Sequence, residues 1–276
     1  MPVGVGFLVW GASMTSAIAS ISKYRPAAVW LFAPRKLADL EEWTSRTREV
    51  TGNASKIWIQ VGTVSEAIEV TKACKPDVLV VQGQDAGGHG LEKSGSLISL
   101  LPEVFDAVEE QIEEKDRPVI IAAGGIADSR GAAAALVLGA SGVVLGTRLL
   151  ASSEANIAAG YQAEVLRADD GGINTVRGSV YDILRGTTDW PSGYGARGVT
   201  NQSFHDAIAG MSWEENKKLY QEAAESGDKG WGPKGRMTTY ASSAVGLVKE
   251  VKPAAEITRE IIDGTIGIMK KAGSRF

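Results

Sequence analysis

Cysteine is nearly missing from this chain. Cys74 is the only one in 276 residues, which excludes an intrachain disulfide and a thiolate metal cluster and fits a reducing, cytoplasmic compartment. Histidine is almost as scarce, with His89 and His205 alone, so no metal site is expected. Basic charge is not in excess: 29 Lys and Arg against 33 Asp and Glu leave a net charge of −4. Without a basic run interleaved with aromatics, nucleic acid is not an expected partner. No apolar run reaches the ~20 residues of a membrane span, so no membrane is expected either. The uncharged stretch 131–147 is broken by Gly139, Ser141 and Gly142 and reads as helix, turn, strand. The start, MPVGVGFLVWGAS, carries no basic leader and suits a strand better than a signal peptide. The dinucleotide fingerprint G-x-G-x-x-G after a first strand is missing as well.

What is present is 44% hydrophobic residues, enough for a substantial core, arranged in short aliphatic runs. These are GVGFLVW (4–10), AAVWLFA (27–33), KIWIQVG (56–62), DVLVVQG (77–83), PVIIAAGG (118–125) and GVVLGT (142–147). Such runs indicate strands buried on both faces. Helical patterns lie between them. Leu37, Leu40 and Trp43 recur at a spacing of three; Thr63 with Glu66 forms a capping box; Pro102 is expected to open a helix; Asp128 caps an alanine-rich helix stopped by Gly139. Six alternations within 150 residues indicate parallel βα units. Residues 151–276 read as helices (154–168, 212–226 and 254–271) around a loop-rich stretch, 169–203, that is functional or folded over the body as a lid. No linker rich in Pro, Ser or charge divides the chain, so 1–276 is expected to form one domain.

In a parallel barrel the chemistry sits at the C-terminal strand ends. Here those ends carry neither a lysine nor paired carboxylates, which disfavours Schiff-base and sugar-phosphate chemistry. They carry instead Gln60, Gln82, the pair Gly124-Gly125, and Gly146-Thr147. Glycine pairs ending two consecutive strands offer backbone N–H groups, with the Thr147 hydroxyl, to a phosphate. The glutamines offer hydrogen bonds to the edge of a flat heteroaromatic. Each feature alone also fits an ordinary turn or strand end; together they favour a phosphorylated ring cofactor. The stretch VQGQDAGGHG (81–90) sets His89 among four glycines, where there is no apolar face to bury it, which points to a functional imidazole. Asp85 is either its orienting carboxylate or a solvated loop residue. Cys74 reads as a small core filler and His205 as a surface residue.

Three segments together resemble the nitronate monooxygenase family, FMN-dependent barrels once called 2-nitropropane dioxygenases. They are VQGQDAGGHG, PVIIAAGGIADSRGAAAALVLGASGVVLGTRLLASSEA and VYDILRGTTDWP. The resemblance implies a TIM-type (β/α)8 barrel with a C-terminal helical and loop extension. It implies FMN with its phosphate on Gly124, Gly125, Gly146 and Thr147, its ring near Gly6, Gln60 and Gln82, and Gly87 and Gly88 among the cofactor-binding positions. His89 then faces the reactive flavin edge as the catalytic residue. The implied reaction oxidises an alkyl nitronate or nitroalkane with O2 to a carbonyl compound and nitrite; a flavin enoyl reductase shares the barrel and the glycine pairs, and a shortened, non-catalytic family member is the third reading. Against the family pattern, the first strand here corresponds to the third. The expectation is therefore an N-terminally incomplete barrel of about six βα units, its open side covered by upstream residues, by the 169–203 stretch or by a second copy in a homodimer.

Overall fold

Residue alternation along each aliphatic run sends one set of side chains outward to helices and the other set inward. In the computed structural model, which describes residues 2–274, the runs become strands separated by helices: β1 (Gly4–Leu8), α1 (Met14–Tyr24), β2 (Ala28–Phe32), α2 (Leu37–Thr51), β3 (Lys56–Val61), α3 (Val64–Cys74), β4 (Val78–Gln82), β5 (Gly88–Leu91), α4 (Leu97–Gln111), β6 (Val119–Ala123), α5 (Ser129–Val137), β7 (Gly142–Val144) and α6 (Thr147–Leu150). Six of the strands form one parallel sheet in the order β1-β2-β3-β4-β6-β7. Its outward set, including Val29, Leu31, Ile57, Ile59, Leu79 and Val81, joins Leu40, Trp43 and Leu101 of the helices in the main core. The inward set, Val78, Val80, Ile121 and Ala123 with Trp30 and Trp58, forms a separate cluster on the concave face.

Local signals set several boundaries as read. The Thr63 hydroxyl accepts the Glu66 N–H at 3.1 Å while Glu66 accepts the Gly62 N–H at 2.8 Å, and Asp128 accepts the N–H groups of Arg130 and Gly131. Pro102 does not open its helix: α4 begins at Leu97 and Pro102 lies inside it. The one bond a proline removes would have reached the carbonyl of Ile98, a residue two-thirds exposed to solvent, so the helix runs on through it.

The remaining elements are α7 (Ala159–Arg167), α8 (Gly171–Asn174), β8 (Thr175–Gly178), α9 (Val180–Arg185), β9 (Tyr194–Val199), α10 (Gln202–Ile208), α11 (Trp213–Glu225) and α12 (Ala254–Gly273). The stretch expected to be loop-rich thus holds two strands. Together with β5, and so with His89 itself, they make an antiparallel sheet in the order β5-β9-β8. This small sheet rests over the C-terminal ends of the parallel strands, joined to them by the 83–87 turn. Helix α12 packs back on α5, where the Thr265 hydroxyl donates to the Ser129 carbonyl at 3.3 Å. Among the described residues, β1 and β7 each pair on one side only, and a hollow of about 520 Å³ opens on the concave face beside Gly4, Gly6, Ala28, Trp30 and Trp58. No described helix is long and apolar enough to cross a membrane.

Candidate active site

The ends of β3, β4, β6 and β7 converge on a cleft lined by Gln60, Gln82, Gly87, Gly124, Gly125, Gly146 and Thr147, with Trp30, Ile126 and Ser242. Seven positions singled out in the sequence therefore meet in one place. Gly124 and Gly125 hold φ of +98° and +74°, the left-handed region that favours glycine. Both line the cleft, and among the described residues neither their N–H groups nor the Gly146 N–H donates to a backbone carbonyl. A Cβ on Gly146 would meet nothing within 4 Å, so the space beside that backbone is free. The Thr147 hydroxyl accepts the Ser242 N–H at 2.9 Å, which leaves its own proton to donate. Gly87 is needed for a different reason: a Cβ there would fall 2.5 Å from the backbone of Ala241 and Ser242, and that close approach closes the cleft. The cleft volume is about 140 Å³, below the ~300–1,000 Å³ of pockets that hold whole small molecules. The cleft is sized for one polar end of a ligand.

Gly6 does not join this group. It lies mid-strand opposite Trp30 in the β1–β2 register and lines the concave hollow; Trp30 borders both cavities. Gly88 and His89 stand just past Gly87 on β5, and the carbonyl of His89 accepts from the Gln82 side chain at 3.2 Å.

The His89 side chain is nearly enclosed. Its Nε2 lies 3.0 Å from both carboxylate oxygens of Asp182, which is itself buried. The Thr187 hydroxyl donates to the same carboxylate at 2.9 Å. Trp190 stacks on the imidazole with centroids 3.7 Å apart and planes 8° from parallel, and Tyr240 meets its edge. Burial, then the Asp182 charge, pushes the Tyr240 hydroxyl up to about 12. The carboxylate paired with the imidazole is that of Asp182, not Asp85. Asp85 accepts from the Ser243 hydroxyl at 2.8 Å and takes no part in the imidazole pairing.

Arg177 on β8 reaches under the loop that bears His89. Its guanidinium donates to the carbonyls of Gly88 at 3.0 Å, Gly195 at 2.6 Å, Gln84 at 3.3 Å and Ala86 at 2.5 Å. Burial, together with neighbouring Arg197, lowers it to about 10. Arg197, its cross-strand partner, donates to the Gln84 carbonyl as well. Sequence reasoning missed Asp182, Trp190, Arg177 and Tyr240. For the first two a signal existed, because both lie in VYDILRGTTDWP; nothing local marks the others. His205 is exposed on α10, and Cys74 is buried in α3, where burial pushes its thiol up to about 11.

A family model described as nitronate monooxygenase matches residues 45–264. The chain is 48% identical over 272 residues to nitronate monooxygenase npaC of Metarhizium robertsii, covering 98% of this chain and 74% of that protein. It is 40% identical over 246 residues to a nitronate monooxygenase of Neurospora crassa, covering 87% of this chain and 63% of that one. Among solved structures, FabK from Thermotoga maritima superimposes with a TM-score of 0.76 at 23% identity, covering all of this chain and 79% of its own. A nitroalkane oxidase from Streptomyces ansochromogenes does so with a TM-score of 0.69 at 20% identity, covering 94% and 69%. These two share the fold.

Proposed function

The chain belongs to the nitronate monooxygenase family, a family of oxidoreductases, and from that premise we propose that it oxidises alkyl nitronates with O2, through bound FMN, to a carbonyl compound and nitrite. The observation that carries the cofactor reading is the cradle of unpaired N–H groups at Gly124, Gly125 and Gly146 beside the Thr147 hydroxyl. Oriented backbone donors of this kind suit a phosphate without any lysine. The lack of a dinucleotide fingerprint after the first strand favours FMN over FAD. Gln60 and Gln82, with Gly87 and Gly88, are assigned to the ring side, and Gly6 is assigned there through the Trp30 wall that both cavities share. Six strands with two one-sided edges are read as six of the eight of a flavin barrel, and residues 1–276 as one functional unit in a reducing cytoplasm.

Bound flavin supplies the redox chemistry that consumes O2; the chain supplies placement and proton handling. His89 holds the anionic nitronate or, for a neutral nitroalkane, removes the α-proton. The second half of the chain shields it from water on one face with Trp190 and braces its loop with Arg177. The test is to saturate the protein with FMN, add preformed ethyl nitronate in air and measure nitrite and aldehyde. Matched release of both is expected. Their absence, with reduction of an enoyl thioester by a nicotinamide donor instead, would overturn the reading in favour of a reductase.

A further inference from the structure

We infer that Asp182 is the positioning residue for His89, fixing the neutral ring as the Nε2–H tautomer and leaving Nδ1 as the atom that takes the substrate's α-proton. The inference rests on the nitroalkane-oxidising reading above. An ionised carboxylate only accepts hydrogen bonds, and Nε2 lies 3.0 Å from both of its oxygens, so Nε2 must carry the hydrogen. A neutral imidazole has one N–H, and the lone pair therefore sits on Nδ1. Among the described residues Nδ1 makes no hydrogen bond, and it is not one of the fully buried polar atoms lacking a partner; it is unpaired and not fully buried.

The groups around the ring support this arrangement. From α9 comes Asp182. Among the described residues no arginine pairs with its carboxylate: Thr187 donates to it at 2.9 Å and the Tyr240 hydroxyl stands at 3.5 Å. Arg185 is one step removed, donating to the Tyr240 oxygen at 3.0 Å. The negative charge is thus left for the imidazole. From the segment after α9, Trp190 holds the ring plane and contributes no titrating group. In the proton step the Cα–H bond of the nitroalkane breaks, its electron pair forms the C=N bond of the nitronate, and the proton adds to Nδ1. The imidazolium so formed, with N–H on both nitrogens, sits against the buried Asp182 carboxylate, which stabilises the charge.

The chain's two histidines make the test direct. Long-range proton–nitrogen NMR of the flavin-free and FMN-loaded protein, taken at a pH where both rings are neutral, reads each tautomer, and His205→Gln assigns the signals. Wild type should give the Nε2–H pattern for His89. Asp182→Asn presents an amide N–H to Nε2 and should shift the ring toward Nδ1–H. Its turnover of a neutral nitroalkane should fall ~10²–10⁴-fold, the range for a lost general base, and its turnover of preformed nitronate less than tenfold. Asp182→Glu should restore part of the nitroalkane rate. An Nδ1–H pattern for His89 in wild type overturns the proposal even if the variants fail to fold, as do equal losses on both substrates. If wild type releases no nitrite from nitronate, the functional reading fails, while the tautomer result still decides the placement of Asp182.

Discussion

The two halves of the chain meet at the site with different kinds of atoms. Residues before Thr147 contribute mostly backbone: positive-φ glycines, unpaired N–H groups and the ends of parallel strands. Apart from two glutamines, their one chemical side chain is His89. Residues after Thr147 contribute almost no cleft lining, Ser242 aside. They supply the groups that hold the first half in place: Asp182 and Trp190 on the imidazole, and Arg177 and Arg197 on the carbonyls of its loop. A parallel sheet whose strand ends are neutral can cradle an anion but cannot aim a ring. The antiparallel sheet and α9 do the aiming.

The deepest cut into that division removes the imidazole. His89→Ala should lower turnover of neutral nitroalkanes ~10²–10⁴-fold and of preformed nitronates much less, measured as kcat/KM on the two substrates. Equal losses would mean that His89 only positions the anion. Next comes the strut. Arg177→Met keeps the bulk but takes a donor from four carbonyls and leaves that of Ala86 with no other; with a buried unsatisfied group costing about 1–3 kcal/mol, unfolding free energy should drop by roughly that amount in urea titration. A drop under about 1 kcal/mol would show that β5 holds its place without β8. Trp190→Leu removes an aromatic contact worth about 0.5–1.5 kcal/mol and should raise KM with kcat falling less than tenfold. A larger fall in kcat would assign Trp190 to the chemistry.

The smallest effect expected is alkaline. The Tyr161 hydroxyl donates to the Tyr240 carbonyl and accepts the Tyr240 N–H, and burial pushes both hydroxyls up to about 12, against about 10 in an unfolded chain. The folded state holds its protons longer, so this contribution is fully present below pH about 10 and is lost as the pH rises toward 12. Arg177, lowered to about 10, works in the opposite sense there. The tyrosine part is therefore the difference in Tm between wild type and a Tyr161→Phe, Tyr240→Phe variant, which should lose less stability across that window.

How much of this was legible follows the same division. The six parallel strands announce themselves as aliphatic runs, and Thr63, Asp128 and the glycine pairs are local signals for local geometry, so the cleft could be assembled from the sequence. The strands GHGL and TVRG are short, half-exposed and paired only through β9, more than a hundred residues from His89 in the first case. Their pattern holds no period that a linear reading can detect. For the same reason Asp85, four residues from His89, invited an assignment that belongs to Asp182, 93 residues away. Gly6 reads as a strand glycine, and the hollow it lines is visible only once it stands opposite Trp30 of β2.

The most direct test of the division of labour is the FMN dissociation constant, measured by fluorescence quenching for wild type, Gly125→Asp and Asp182→Asn in one series. At Gly125, where φ is +74° and a Cβ would lie 3.0 Å from that of Asp85, an aspartate reshapes the turn and sets a carboxylate beside the cradle, and should weaken FMN by ~100-fold or more, whereas Asp182→Asn should bind FMN within about threefold of wild type while its nitroalkane turnover collapses. Unchanged FMN affinity in Gly125→Asp, or loss of FMN in a folded Asp182→Asn, would contradict the assignment of cofactor holding to the first half and imidazole aiming to the second.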